Sequence, residues 1–136
     1  MTTLNSKKRC RPLYSSYIAA GFPSPADDYI ETTLDLNEHL IKRPSSTFYV
    51  RALGESMIEA GILDGSLLIV DKSLEAQNGK IVLASLSGEF TLKEFRKRQG
   101  QITLVPRNPN FKTITVTEDM DFSLWGVVTH CILDLQ

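Results

Sequence analysis

Cysteine and histidine are scarce in this sequence, two of each in 136 residues. Cys10 and Cys131 lie near opposite ends of the chain and offer neither a disulfide framework nor a metal-ligand spacing. His39 and His130 have no neighbouring Cys or His to complete a zinc site, and both are read as structural or solvent-exposed. No metal and no cofactor is expected. No stretch approaches the roughly 18 to 20 apolar residues of a membrane span. The start MTTLNSKKRCRPLYSSYIAAGF is basic but lacks the continuous apolar run of a secretory signal, although Ala19-Ala20-Gly21 superficially resembles a signal-peptidase site. A reducing cytoplasm and no membrane partner are therefore expected. A formal charge of −1 argues against a polyanion wrapper or a supercharged tail.

The charge is nevertheless unevenly placed. Lys7, Lys8, Arg9 and Arg11 precede position 20, where no acidic residue occurs, so an arm of +4 leads into a body with eleven basic and sixteen acidic residues, or −5. The arm's charge is read as a solubility feature of a flexible tail, with contact to nucleic acid or a partner as the alternative and no sequence-specific DNA binding expected. Ala20-Gly21-Phe22-Pro23-Ser24-Pro25 cannot continue a helix and acts as a hinge. This divides the chain into an arm over 1–24 and one domain over 25–136. Ser24, Pro25, Asp27 and Asp28 make a helix start, and Asp35-Leu36-Asn37-Glu38 has capping-box spacing before Pro44. Two short helices are predicted within 25–42.

From Thr47 onward the composition turns to β-branched and aromatic runs, at 47–53, 66–70, 80–86, 89–95, 102–105, 113–116 and 122–133. Ser87-Gly88 predicts a tight hairpin. Turn signals at Asp64-Gly65, Asn78-Gly79, Arg98-Gln99-Gly100 and Asn108-Pro109-Asn110 separate the runs, with no helix of crossover length between them. The fold class is mostly β, a curled antiparallel sheet or partial barrel.

Gly54-Glu55-Ser56-Met57 interrupts a strand-like stretch, where a sharp turn can lift a hydroxyl out of a sheet. The α/β-hydrolase elbow would need glycine where Ile58 stands, and neither histidine has a triad partner motif. The remaining way to activate Ser56 is a lysine base, which must be buried to be neutral near pH 7. In Phe90-Thr91-Leu92-Lys93-Glu94-Phe95, alternation puts Lys93 on the face of Thr91 and Phe95, opposite Phe90, Leu92 and Glu94. Alternation does not decide which face is buried. An ordinary turn at Ser56 and a solvated strand lysine remain alternative readings. Met57, Ile62, Leu63, Leu68 and Val70 are expected in the core, Trp125 is read as a packing residue, and Glu55 as a turn residue pointing to water.

Phe48–Met57, Gly61–Asp71 and Gly88–Lys93 strongly resemble the self-cleaving Ser-Lys protease domain of the LexA and UmuD group, and the likeness extends from Ala20-Gly21 to His130. LexA-type repressors carry a helix-turn-helix domain before the cleavage site. The 20 residues up to Ala20 are too few for one, so the resemblance points to the UmuD type, which includes MucA and RumA. It implies that Ser56 is the nucleophile, Lys93 the general base and Ala20-Gly21 the scissile bond, with backbone N–H groups at Glu55 and Ser56 as oxyanion candidates. It also implies an SOS-response protein of the bacterial cytoplasm that cleaves itself when stimulated by a RecA filament on single-stranded DNA. The processed form would be a homodimeric accessory subunit of a UmuC-like Y-family translesion DNA polymerase. Alternatives are a non-cleaving partner-binding module of the same fold and a soluble Ser-Lys peptidase acting on other proteins.

Overall fold

The seven β-branched and aromatic runs form seven of the nine strands found among the described residues of the computed structural model, which are 9–14, 18 and 30–136. The chain divides into two units, Met1–Lys42 and Arg43–Gln136. In the first, β1 (Cys10–Tyr14) pairs antiparallel with β2 (Ile30–Asp35), in a register running from Cys10 opposite Asp35 to Tyr14 opposite Ile30. Helix α1 (Leu36–Leu40) follows, and the Asp35 carboxylate caps it by accepting the Asn37 N–H at 2.9 Å.

This unit corrects two expectations. The region read as an aperiodic arm contains β1, and 30–34, which falls between the two predicted helix starts, belongs to a strand that ends at Asp35. Ile30, Thr32 and Thr33 favour extended backbone, and pairing with β1 outweighs the local capping signals upstream. Pro12 is tolerated because the strands of a two-stranded ribbon each keep an unpaired edge. The proposed helix start at Ser24-Pro25 lies outside the described residues.

The second unit is an open antiparallel sheet in the order β3-β4-β9-β5-β6-β7-β8. Its strands are β3 (Thr47–Arg51), β4 (Leu67–Asp71), β5 (Ile81–Leu86), β6 (Glu89–Arg98), β7 (Gln101–Val105), β8 (Ile114–Thr115) and β9 (Phe122–Ile132). Each coincides with a predicted run to within a few residues. β5 and β6 are joined by Ser87-Gly88, with φ of 49° and 88°, the left-handed pair required by a two-residue hairpin whose twist matches its strands. β9 returns between β4 and β5, with a register irregularity against each. Gly126 lies at that crossing, where a Cβ would come within 2.6 Å of Val70 Cγ1.

Both faces of the sheet carry core. Ala52, Met57, Ile62, Leu68, Val70 and Leu83 form one cluster, and Val82, Ala84, Phe95, Leu104 and Val127 the other. Val82 and Ala84 thus pack away from Leu83, as the two-residue period of a strand demands. Two covered faces explain why β4 and β5 read as continuous apolar runs rather than alternating ones. Leu63, expected in the core, is 36% exposed at the turn before β4.

Candidate active site

Ser56 lies in the connection between β3 and β4, which is closed at its neck by two backbone bonds: Ala52 N–H donates to Ser66 O at 2.9 Å and Gly65 N–H to Ala52 O at 2.8 Å. Gly54, at φ 88°, turns the chain out of the sheet direction, and its N–H donates to Asp64 Oδ1 at 2.7 Å. A residue with a Cβ would be strained there. Met57 and Ile62, each 3% exposed, bury the apolar underside of the connection. Ser56 is consequently held half-buried between exposed Glu55 and buried Met57.

Lys93 comes from β6. β7 pairs with β6 only from Glu94 to Arg98, so the segment Glu89–Lys93 has a free edge on that side, and the site forms at this opening. Lys93 is 9% exposed, and burial pushes its amine pKa down from the ordinary lysine value. Its Nζ lies 3.3 Å from Ser56 Oγ, 2.5 Å from Thr91 Oγ1 and 3.1 Å from Leu92 O. An ammonium satisfies these three oxygens with three N–H donors. A neutral amine has two donors and one lone pair. The Leu92 carbonyl can only accept and thus claims an N–H. If Thr91 Oγ1 accepts the second, the lone pair is left for the Ser56 hydroxyl proton. That is the protonation pattern a general base requires.

The pair stands at the wall of a cleft of about 540 Å³ lined mainly by apolar side chains, among them Phe48, Leu53, Met57 and Phe90. Trp125, read from sequence as a packing residue, also lines this cleft and is 47% exposed. Its ring meets Phe90 edge to face, with centroids 5.3 Å apart and planes at 71°. Such a surface suits an extended, largely apolar ligand segment.

The structure brings together Ser56 and Lys93. Glu55 is exposed, as expected of a turn residue, and its carbonyl accepts from Ile58 N–H at 3.2 Å and Asn108 Nδ2 at 2.9 Å. Ala20 and Gly21 lie outside the described residues. Sequence reasoning missed the roles of Thr91 and Leu92 O, although Thr91 could have been found, since it is the nearest same-face neighbour of Lys93 on the strand. It also missed Arg107 and Asn108, which read as an ordinary turn after β7. Arg107 N–H donates to Ser56 O at 2.8 Å, bringing that turn up to the back of Ser56.

The family described as Peptidase S24-like matches residues 12–129. Among relatives, protein ImpA of Salmonella typhimurium is 46% identical over 123 residues, covering 90% of this chain and 83% of the relative. Protein MucA of Escherichia coli is 40% identical over 124 residues, covering 90% and 84%. LexA repressor 2 of Pseudomonas syringae pv. tomato is 44% identical over 110 residues, covering 81% of this chain and 54% of the repressor.

Proposed function

The chain belongs to the Peptidase S24-like family, among its UmuD-like members, and from that premise we propose that it is an SOS-mutagenesis protein that cuts its own Ala20-Gly21 bond with a Ser56-Lys93 dyad. The observation that carries this reading is the buried Lys93 Nζ 3.3 Å from Ser56 Oγ at the wall of an apolar cleft. Neutral Lys93 takes the Ser56 proton as Oγ attacks the Ala20 carbonyl carbon. The negative charge gathers on the Ala20 oxygen, and the backbone N–H groups of Glu55 and Ser56 are the donors proposed for it; neither donates to an acceptor among the described residues. Lys93, now charged, protonates the Gly21 nitrogen as the peptide bond breaks. Water then hydrolyses the Ser56 ester, with Lys93 again the base. Small Ala20 and Gly21 let an extended segment enter the crowded site.

Cleavage leaves a fragment of 116 residues (136 − 20) with formal side-chain charge −5, having shed all four basic residues of the segment before position 20. In this reading the trigger is a RecA filament on single-stranded DNA that favours the arm's cleavage-competent placement, a population shift. The processed protein then acts as a homodimer on a UmuC-like translesion polymerase. The test is incubation of the purified chain from neutral to alkaline pH. Cleavage accelerates as Lys93 loses its proton and yields a fragment beginning at Gly21. An intact chain, or parental cleavage by Ser56→Ala or Lys93→Ala, would refute the dyad.

A further inference from the structure

Glu94 is the neighbour of Lys93 on β6 and projects to the opposite face, where it is 2% exposed. A buried carboxylate requires partners. Its Oε2 accepts from Arg96 Nε at 2.6 Å, and its Oε1 from Arg107 Nη1 at 2.6 Å. Burial pushes its pKa up, but the bonds and charges of Arg96 and Arg107 outweigh this and hold it below the usual glutamate value. Arg107 follows β7, and its main chain is bonded twice to the nucleophile connection. Its N–H donates to Ser56 O at 2.8 Å, and its carbonyl accepts from Glu59 N–H at 2.8 Å. The next residue, Asn108, donates from Nδ2 to Glu55 O at 2.9 Å.

We infer that the Glu94-Arg107 pair, with Asn108, is a strut that holds the Ser56 turn at its distance from Lys93, which makes Arg107 a positioning residue for self-cleavage. The inference rests on the dyad reading above. A closed circuit runs from Lys93 along β6 to Glu94, through the ion pair to Arg107, through its backbone to Ser56, and across 3.3 Å back to Lys93. Lys93 stands on β6 and Ser56 in the β3 to β4 connection, and among the described residues no ion pair outside those of Glu94 links the two. The turn itself is glycine-started and exposed at Gly54 and Glu55, so apart from the Gly54 N–H bond to Asp64 its own packing fixes Ser56 from the Met57 side. Arg107 is the element that fixes it from the other. Because Arg96 also pairs with Glu94, loss of Arg107 does not orphan the buried carboxylate, and an Arg107 variant is expected to fold.

The experiment compares self-cleavage of the full chain across pH for the parent, Arg107→Gln, Arg107→Lys and Asn108→Ala, with thermal melting as the folding check. Ser56→Ala and Lys93→Ala are included as dyad controls. A displacement of the nucleophile by about 1 Å costs up to roughly a hundredfold in rate, so Arg107→Gln should lower the maximal rate by about ten- to a hundredfold. Arg107→Lys keeps a cation for Glu94 and should recover to within about threefold of the parent. Asn108→Ala, which removes the bond to Glu55 O along with the local bond that Asn108 Oδ1 accepts from Asn110 N–H, should lose about threefold. The pH midpoint should move by less than about half a unit, since Lys93 keeps its burial and its bonds to Thr91 Oγ1 and Leu92 O, and a nearly constant midpoint with a falling plateau separates positioning from an effect on the base. The strut is overturned if folded Arg107→Gln cleaves within about twofold of the parent, if Arg107→Lys is as slow as Arg107→Gln, or if the midpoint shifts by about half a unit or more. Should Arg107→Gln not fold, Asn108→Ala decides, and a parental rate there overturns the strut. Parental cleavage by either dyad control is a different outcome, which removes the dyad reading and the strut with it.

Discussion

Thr91→Val isolates the step in which Lys93 presents its lone pair. Valine has threonine's shape without the hydroxyl, so the change removes the 2.5 Å bond from Lys93 Nζ to Thr91 Oγ1 and leaves packing in place. In the proposed dyad the neutral amine gives its two N–H groups to Thr91 Oγ1 and Leu92 O and turns its lone pair to Ser56. Without Thr91, one N–H of a buried amine is unpaired or swings toward Ser56 Oγ in competition with the productive arrangement. An unsatisfied buried donor costs about 1–3 kcal/mol. Each 1.36 kcal/mol of barrier is about tenfold, so the maximal self-cleavage rate should fall by about five- to a hundredfold. A second effect has the opposite sense at neutral pH. The ammonium form gains more from the Thr91 oxygen than the amine does, since a charged donor makes the stronger bond. Losing it therefore lowers the Lys93 pKa beyond what burial does, and the midpoint of the rate profile moves to lower pH. The assay is the first-order rate of appearance of the 116-residue fragment from neutral to alkaline pH, with Thr91→Ser as the hydroxyl-bearing control. A valine variant with a parental plateau, or a midpoint displaced upward, would refute the assignment of donor and acceptor at Lys93.

Two predictions concern the scaffold. Asp71, 2% exposed, accepts from Arg43 Nε, Ser46 Oγ and the N–H and Oγ of Ser73. Burial would raise its pKa, but the bonds from Ser73, Ser46 and Arg43 win and hold it well below the usual carboxylate range. A depressed folded pKa gives stability that is complete above the unfolded value of about 3.9 and is lost as pH falls toward the folded one. Urea unfolding should thus find Asp71→Asn less stable than the parent at neutral pH, with the gap narrowing below about pH 4; a gap independent of pH would contradict this. At the β9 crossing, a Cβ on Gly126 would lie 2.6 Å from Val70 Cγ1 and 3.1 Å from Asp71 O, and fully buried Val70 has no room to yield. Gly126→Ala should cost about 1–3 kcal/mol in the same assay, and unchanged stability would show that β9 can shift.

The strands of the second unit were legible because each is a short run of β-branched and aromatic residues bounded by turn chemistry that acts locally. Ser87-Gly88 and the glycines at 65, 79 and 100 mark the turns whatever the strands later pair with. The strand order was not legible, since the return of β9 between β4 and β5 depends on which apolar faces meet, and every run from β4 to β9 is apolar enough to meet several others. The first unit shows the same limit in reverse. Asp35 signalled the start of α1 correctly because a cap involves two residues of separation. The segment 30–34 was misassigned because what makes it a strand is Cys10–Tyr14, some twenty residues away.

For the site, Ser56 could be found from a glycine-serine turn at a strand end, but the choice of lysine could not be made from alternation. The physical reason lies in β6 itself. Lys93 and Glu94 point to opposite faces and are both buried, so the strand offers no polar face against which to orient the other. A sequence rule that looks for one wet and one dry side reads Lys93-Glu94-Phe95-Arg96-Lys97-Arg98 as a solvated charge patch. The patch instead contains the buried amine that meets Ser56 and the buried carboxylate that meets Arg107. Burial of two adjacent, oppositely charged residues on separate faces is costly unless each is satisfied. Lys93 is satisfied by three oxygens and Glu94 by two guanidinium groups. A strand with one dry face could carry the proposed base or its proposed support. β6 can carry both, because each of its faces is closed by a different part of the β3 to β4 and β7 to β8 connections.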